Sequence, residues 1–178
     1  PFPVVSAPFG MTLGGGCEVM LYSDLDIAHA ELYTGLVEVG VGILPAGGGT
    51  TEMLIRMNER LVAGADPFAA VQQAFELIAM GKVSTSAYDA RNLGLLRSTD
   101  RIVMNADRLL SEAKHAVLEL ADGYVPPVPR MVKVLGESAF ANLCTGAHGM
   151  MLAGFITKYE YHLAETIGRV LCGGEMNR

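Results

Sequence analysis

Apolar and polar residues alternate in two different ways along this chain of 178 residues. In the first third, short apolar runs are separated by glycine-rich turns, which predicts strands at 4–9, 25–30 and 32–33 around a turn at 10–16. A short helix is expected at 17–22. From about residue 51 onward, apolar positions recur every three or four residues, as they do on one face of a helix. The pattern therefore predicts a mixed α/β chain, with strands and turns first and mostly helix afterwards.

The later helices carry recognisable end signals. Asp66 followed by Pro67 is an N-cap with proline at the first helical position, and Gly81 ends that helix. Ser86 caps a short helix that Gly94 ends. The helices expected after residue 50 are 51–62, 67–80, 87–93, 105–121, 138–151 and 156–171, with a proline-rich linker at 125–129. On the helix at 105–121, the expected apolar stripe consists of Leu109, Leu110, Ala113, Val117 and Leu120.

Composition narrows the class of protein. The length suits one domain, or one domain with an appendage. The chain is 51% hydrophobic and 18% charged, so it can bury a sizeable core and still expose apolar surface for a partner. The net charge of −6 and the isoelectric point near 5.2 argue against nucleic-acid binding.

The cysteines indicate the cellular compartment of the protein, and the chain ends indicate whether the sequence is part of a longer protein. Cys17, Cys144 and Cys172 are far apart and form no CxxC pair, which favours a reducing, cytoplasmic setting over disulfides or zinc. No signal peptide and no apolar stretch of roughly 20 residues is evident. The chain has no initiator Met and begins directly at an expected strand, so we expect it to be cut from a longer protein.

The first group of residues that could carry chemistry is the sequence Leu13-Gly14-Gly15-Gly16-Cys17-Glu18. Glycines before a helix leave backbone N–H groups accessible at the positive end of the helix dipole. Such groups can bind phosphate or stabilise an oxygen that gains negative charge during a reaction. The alternative is a tight turn with close packing and no ligand.

The second candidate is Glu38, the one charged residue between Leu32 and Thr51. A carboxylate in so apolar a stretch is expected to be at least partly buried, and burial without a partner raises a carboxyl pKa. A raised pKa suits a group that gives and takes a proton. The alternative is a surface glutamate on an irregular loop.

Taken together, these segments resemble a known signature. Residues 3–10, the Leu13–Glu18 sequence, Glu38 and the loop at 43–50 are similar to the signature of the enoyl-CoA hydratase (crotonase) family. In that family a strand and turn precede an LGGGCE-like sequence, a second glutamate and a PGAGGT-like loop. Glu18 and Glu38 are 20 positions apart, which is the family's spacing. The segment 82–96 resembles a later stretch of the same family.

The resemblance implies a fold and an origin. The expected fold is α/β, a partial crotonase β-β-α spiral core, with 1–100 as the C-terminal half of that core and 101–178 as a helical region. The segments 31–42, 125–129 and 136–139 look like the hydratase domain of long bacterial 3-hydroxyacyl-CoA dehydrogenases. NAD would then belong to a fused dehydrogenase domain, and no cofactor is expected in this segment.

The resemblance also implies roles for residues. Gly15 would supply one N–H of an oxyanion hole for a thioester carbonyl, while Glu18 and Glu38 would hold the water and move protons. Leu13, Gly14, Pro45 and Gly47 would contact the acyl-CoA substrate. Because the family's first half supplies the other oxyanion N–H, the isolated chain is expected to be inactive or nearly so.

Other functions are less consistent with the residues. His29, His115, His148 and His162 are scattered without metal-ligand spacing, so no metal site is expected. Within the superfamily, the alternative activity is enoyl-CoA isomerisation, and outside enzymes it is a non-catalytic assembly domain. The family resemblance and the apolar composition favour a homo-oligomer, with no nucleic acid and no membrane span. Cys17 beside Glu18 is expected to be a small buried residue rather than a nucleophile.

Overall fold

The computed structural model describes residues 1–174, which divide into two compact units. Unit 1 consists of Pro1–Gly35 and Val83–Arg130. Unit 2 consists of Leu36–Lys82 and the described part of 131–178. Both units are built from two separate stretches of chain, so contacts between distant residues hold each unit together. The predicted division at residue 100 stays a prediction.

Unit 1 contains short parallel strands. They are β1 (Val5–Ser6), β2 (Gly10–Leu13), β3 (Leu25–His29), β4 (Leu32–Gly35) and β5 (Arg101–Val103). One sheet has the order β1-β3-β5 and the other pairs β2 with β4, all in parallel. In register, Val5 lies opposite Leu25, and Leu13 lies opposite Gly35. Parallel pairing requires a crossover between paired strands, and the β2–β4 crossover contains a helix.

The helices of unit 1 cover these strands. They are α1 (Gly15–Leu21), α4 (Ala87–Asn92), a 3-10 turn (Ala106–Arg108) and α5 (Leu109–Ala121). One apolar core joins β3 to α5 through Leu25, Ile27, Leu109, Ala113 and Ala116. Leu110 was expected on this face but is 76% exposed. The buried face follows the steps of three and four from Leu109, and Leu110 lies one position, about 100° of rotation, away from it.

Unit 2 is helical. It contains a 3-10 helix (Glu38–Val41), α2 (Gly49–Glu59), α3 (Phe68–Ala79), α6 (Gly136–Leu152) and α7 (Lys158–Leu171). Helix α3 begins after Asp66, whose carboxylate accepts the Phe68 N–H at 2.9 Å, as the Asp-Pro signal predicted. Helix α7 begins with a capping box between Thr157 and Glu160. Helices α3, α6 and α7 pack on one another, and Ile167 of α7 is fully buried.

The structure corrects three expectations about the strands. Residues 10–13 form β2 rather than part of a turn, because they pair with β4 along their whole length. The strand expected at 4–9 shortens to Val5–Ser6, between Pro3 and Pro8, which have no N–H to donate to a sheet. The sequence pattern missed β5, a three-residue strand too short to show a period.

Two further expectations were confirmed. Ser86 caps α4, with its hydroxyl accepting the Asp89 N–H at 3.1 Å. The proline-rich segment lies within residues 124–135, which form no helix or strand.

Among the described residues, no helix is long and apolar enough to cross a membrane.

Candidate functional site

The turn from β2 into α1 has a backbone that only glycine adopts easily. Gly14 has φ 56° and ψ −124°, and its N–H donates to the Gly35 carbonyl at 2.9 Å. This bond ties the turn to the end of β4. A Cβ built on Gly15 would meet no atom within 4 Å, so Gly15 faces open space. Gly15 and Gly16 are exposed at the first turn of α1, where helix N–H groups have no intrahelical acceptor.

Glu18 lies one turn into α1 and is 8% exposed. Its N–H donates to the Gly14 carbonyl at 3.0 Å, and its carbonyl accepts the Tyr22 N–H at 3.2 Å. Cys17, which precedes it, is fully buried. The position of Glu18 is therefore fixed by a two-turn helix that begins at the glycine turn, and Cys17 packs inside the unit.

Glu38 opens the 3-10 helix of unit 2 and is partly buried, as its apolar surroundings predicted. Its carbonyl accepts the Ile43 N–H at 3.2 Å, which closes the loop after the 3-10 helix. A Cβ on Gly81 would come within 3.3 Å of Val39 Cγ2, and Gly81 has φ +55°. Glycine at 81 thus allows the end of α3 to approach the residue that follows Glu38.

The loop after Glu38 leads into α2. Pro45 is buried, Gly47 is exposed, and Gly48 has φ 100° as the N-cap of α2. Within α2, Glu52 and Arg56 form an ion pair of 2.8 Å, and both side chains are almost completely buried. This buried pair could not be predicted from the sequence, because Glu and Arg four residues apart are also typical of a solvated helix face.

Unit 2 also contains an apolar groove of about 510 Å³. Its wall includes Val39 and Gly40, the two residues that follow Glu38. Helices α3, α6 and α7 supply most of the remainder, including Phe68, Phe75, Leu143, Gly146, Ala147, Met150, Leu163 and Ala164. A volume in this range and a mainly apolar lining are typical of sites for small apolar ligands.

Two of the three cysteines and two of the four histidines have surroundings that can be described. Burial raises the pKa of the Cys172 thiol to about 11, and burial also raises the pKa of Cys144. Both shifts disfavour the reactive thiolate. The His29 Nδ1 accepts the Glu31 N–H at 3.2 Å, and His148 packs edge-on against Tyr161. Across residues 1–174, no three His, Cys, Asp or Glu side chains come together as metal ligands would.

The predicted site residues fall into two sets. Leu13, Gly14, Gly15 and Glu18 come together in unit 1, at the end of β2 and the start of α1. Glu38, Pro45 and Gly47 lie in unit 2, in the 3-10 helix and the loop that follows it. The convergence of Glu18 and Glu38 on one water molecule stays a prediction.

Comparisons with known proteins show which proteins the chain is similar to. The chain is 46% identical over 175 residues to a probable 3-hydroxyacyl-CoA dehydrogenase of Bacillus subtilis strain 168, covering 98% of this chain and 22% of that protein. It is 34% identical over 157 residues to a Rickettsia felis protein named as a fatty acid oxidation complex trifunctional enzyme, covering 88% of this chain and 20% of that protein. No protein-family model matches the chain.

Solved structures give the same picture of the fold. An enoyl-CoA hydratase from Bacillus anthracis superposes with a TM-score of 0.52 at 25% identity, over 94% of this chain and 53% of that one. An enoyl-CoA hydratase/isomerase from Cupriavidus metallidurans CH34 superposes with a TM-score of 0.54 at 17% identity, over 94% of this chain and 51% of that one.

The fold defines the class: the chain has the mixed α/β fold that the sequence predicted, and its structural neighbours are enoyl-CoA hydratase/isomerase (crotonase) proteins. Its curated homologues are 3-hydroxyacyl-CoA dehydrogenase and trifunctional fatty acid oxidation proteins. The chain spans about a fifth of the length of these curated relatives and about half of the solved structures.

Proposed function

We propose that this chain is part of an enoyl-CoA hydratase domain, which adds water across the 2,3-double bond of a 2-enoyl-CoA thioester during fatty acid β-oxidation. The observation that carries the proposal is the β2–α1 turn, where a glycine backbone facing open space is followed one turn later by the buried Glu18. The names of the homologous proteins support the same chemistry.

In the proposed reaction, Gly15 binds the thioester oxygen and the two glutamates transfer protons. The Gly15 N–H donates to the thioester oxygen, which stabilises the negative charge that grows there as water attacks. Glu18 takes a proton from the water as its oxygen bonds to C3, and Glu38 delivers a proton to C2. One proton is removed and one is added, so the product is the neutral 3-hydroxyacyl thioester.

We propose that the substrate contacts residues of both predicted sets. Leu13 and Gly14 would contact the thioester near the α1 turn, while Pro45 and Gly47 would contact it from the loop after Glu38. We further propose that the aliphatic tail of the acyl group occupies the groove of unit 2. The support is that Val39 and Gly40, next to Glu38, form part of the groove wall.

We also propose a fused dehydrogenase region, a homo-oligomeric state and a cytoplasmic location for this domain. NAD would act in a dehydrogenase region fused to this domain, as the name of the Bacillus subtilis homologue indicates. A homo-oligomer would cover exposed apolar side chains such as Leu152 and Phe155. The three cysteines carry no disulfide, which supports a reducing cytoplasmic setting.

Replacement of each glutamate by glutamine in the complete protein tests the proposed reaction. Either change should lower kcat for hydration of crotonyl-CoA by about 10²–10⁴, because the amide cannot exchange the proton. Glu119→Gln, at an exposed position on α5, is the control and should keep full activity. Full activity in both variants would contradict the proposal and would favour an assembly domain.

The position of the new oxygen separates hydratase from isomerase. A hydratase should place solvent ¹⁸O at C3 of the product, whereas an isomerase should move the double bond without incorporation. The isolated 178-residue chain should show little hydration, because a second oxyanion N–H is expected from outside it. Activity of this chain near that of the complete protein would overturn that expectation.

A further inference from the structure

The carboxyl end of α1 is held by an arginine that lies more than 70 positions away in the sequence. Arg97 donates from Nη1 to the Ser23 carbonyl at 2.9 Å and from Nη2 to the Leu21 carbonyl at 3.1 Å. These carbonyls stand at the helix end, where the last C=O groups have no intrahelical donor. A cation there also complements the negative end of the helix dipole.

Arg97 is itself anchored through its backbone. Its N–H donates to Asp100 Oδ2 at 2.6 Å, and the other carboxylate oxygen of Asp100 accepts the Asp26 N–H from β3 at 3.1 Å. Asp100 is 3% exposed. Its backbone carbonyl accepts a hydrogen bond from Nη2 of Arg91 at 2.6 Å. Arg97 therefore connects the end of α1, through its guanidinium, to the central strand of the three-stranded sheet, through its backbone N–H and Asp100.

We propose that Arg97 is a positioning residue for Glu18, an inference that rests on the proposed hydratase function. Helix α1 has only seven residues, and Glu18 lies three positions before Leu21. A displacement of the helix end therefore moves the Glu18 carboxylate as well. Misplacement of a reacting group by about 1 Å can cost about 10²-fold in rate.

The geometry explains why arginine suits this position. The planar guanidinium presents several N–H donors in a fixed fork, so two carbonyls can be bound at once with a set separation. Lysine would keep the charge but would offer one mobile ammonium group. Arg97 is only partly buried, so a small cation from solvent can reach the space left by removal of its side chain.

The test uses Arg97→Lys and Arg97→Ala in the complete protein, with crotonyl-CoA as substrate. We expect kcat to fall about tenfold or more in Arg97→Ala and less in Arg97→Lys, with KM nearly unchanged. Millimolar guanidinium chloride, far below denaturing concentrations, should restore part of kcat in Arg97→Ala. It should restore nothing in Glu18→Gln. The matched control is Arg101→Ala, which removes an exposed ion pair to Glu119 (3.0 Å) in the same unit.

The outcomes separate the two proposals. If Glu18→Gln loses activity while folded Arg97→Lys and Arg97→Ala keep the wild-type kcat, the positioning role is wrong and the hydratase function stands. The positioning role is also wrong if the loss of activity only follows a loss of folded protein and guanidinium rescues nothing. If Arg97→Ala does not fold, kcat of folded Arg97→Lys decides. If Glu18→Gln keeps full activity, the hydratase proposal itself fails.

Discussion

The strands of unit 1 and the α3, α6 and α7 helices of unit 2 are held together by different contacts. In unit 1, buried polar groups bond across long stretches of chain: Ser6 donates to Asp26 at 2.5 Å, and the Thr34 N–H donates to Ser84 Oγ at 3.0 Å. In unit 2, the α3, α6 and α7 helices meet mainly through apolar residues such as Ile78, Leu143 and Ile167, all buried.

The difference follows from the backbone. A helix satisfies its own N–H and C=O groups, so the surfaces where helices meet can be apolar. Short parallel strands leave backbone groups at their ends and edges, and buried groups of this kind need a partner. Ser84 and Asp100 provide such partners in unit 1. Unit 1 should therefore be sensitive to the loss of single hydrogen bonds, and unit 2 to the loss of volume.

The largest effect is expected from removal of volume in unit 2. Ile167→Ala should lower the free energy of unfolding by roughly 2–5 kcal/mol, because the side chain is fully buried and its loss leaves a cavity. Hydrogen exchange should become faster in α3, α6 and α7. Val170→Ala, at a half-exposed position on the same helix, is the control and should change stability by less than about 0.5 kcal/mol. Equal effects of the two variants would contradict this account of unit 2.

A smaller effect is expected from breaking the polar network of unit 1. Asp100→Ala leaves the N–H groups of Asp26 and Arg97 without their acceptor and should cost roughly 1–3 kcal/mol. Amide exchange at these two positions should accelerate. Asp107→Ala, at an exposed position in the same unit, should leave their exchange unchanged. Slow exchange at Asp26 in Asp100→Ala would show that this network is not what protects β3.

Loss of the capping box at the start of α7 should have the next largest effect on stability, and the contribution of this capping box depends on pH. Hydrogen bonds from the Thr157 N–H and hydroxyl hold the pKa of Glu160 below its ordinary value of 4.5. Because the folded pKa is the lower one, the contribution is complete above pH 4.5 and is lost as the pH falls through the folded value.

Thr157→Ala should cost about 1 kcal/mol through loss of the cap. It should also move the pKa of Glu160 back toward 4.5 in an NMR titration of the carboxyl carbon. Because the backbone N–H at 157 remains, an unchanged pKa in this variant would show that the Thr157 hydroxyl does not help to lower it.

The smallest effect concerns the groove, and it is a change of selectivity. Gly146 lines the groove and Gly149 does not, although both lie in α6 and a Cβ on either would meet open space. Gly146→Leu in the complete protein should lower kcat/KM for 2-decenoyl-CoA relative to crotonyl-CoA, by about fourfold for each methylene it displaces. Gly149→Leu should preserve the ratio. The same ratio in both variants would mean that the acyl tail lies elsewhere.

The sequence predicted helices better than strands. The reason is that helix caps act on residues close by in the sequence, whereas strand pairing joins distant residues. Asp66 and Ser86 act on N–H groups two or three residues away, so their capping could be predicted from neighbouring letters. Strand β2 could not, since Gly10 and Thr12 look like parts of a turn until β4 pairs with them. Among the site residues, the glycine turn and Glu18 were predicted from their pattern, whereas Arg97 carries no local signal.

By itself, the sequence predicted the crotonase-type fold, the mixed α/β class and the candidate residues Gly15, Glu18 and Glu38, because these predictions depend on residue type and local spacing. Only the tertiary structure decided the strand order β1-β3-β5, the exposure of Leu110 and the contact of Arg97 with α1. These features depend on which distant segments meet. That choice is made by the combined burial and hydrogen bonding of the whole unit, which no short stretch of sequence contains.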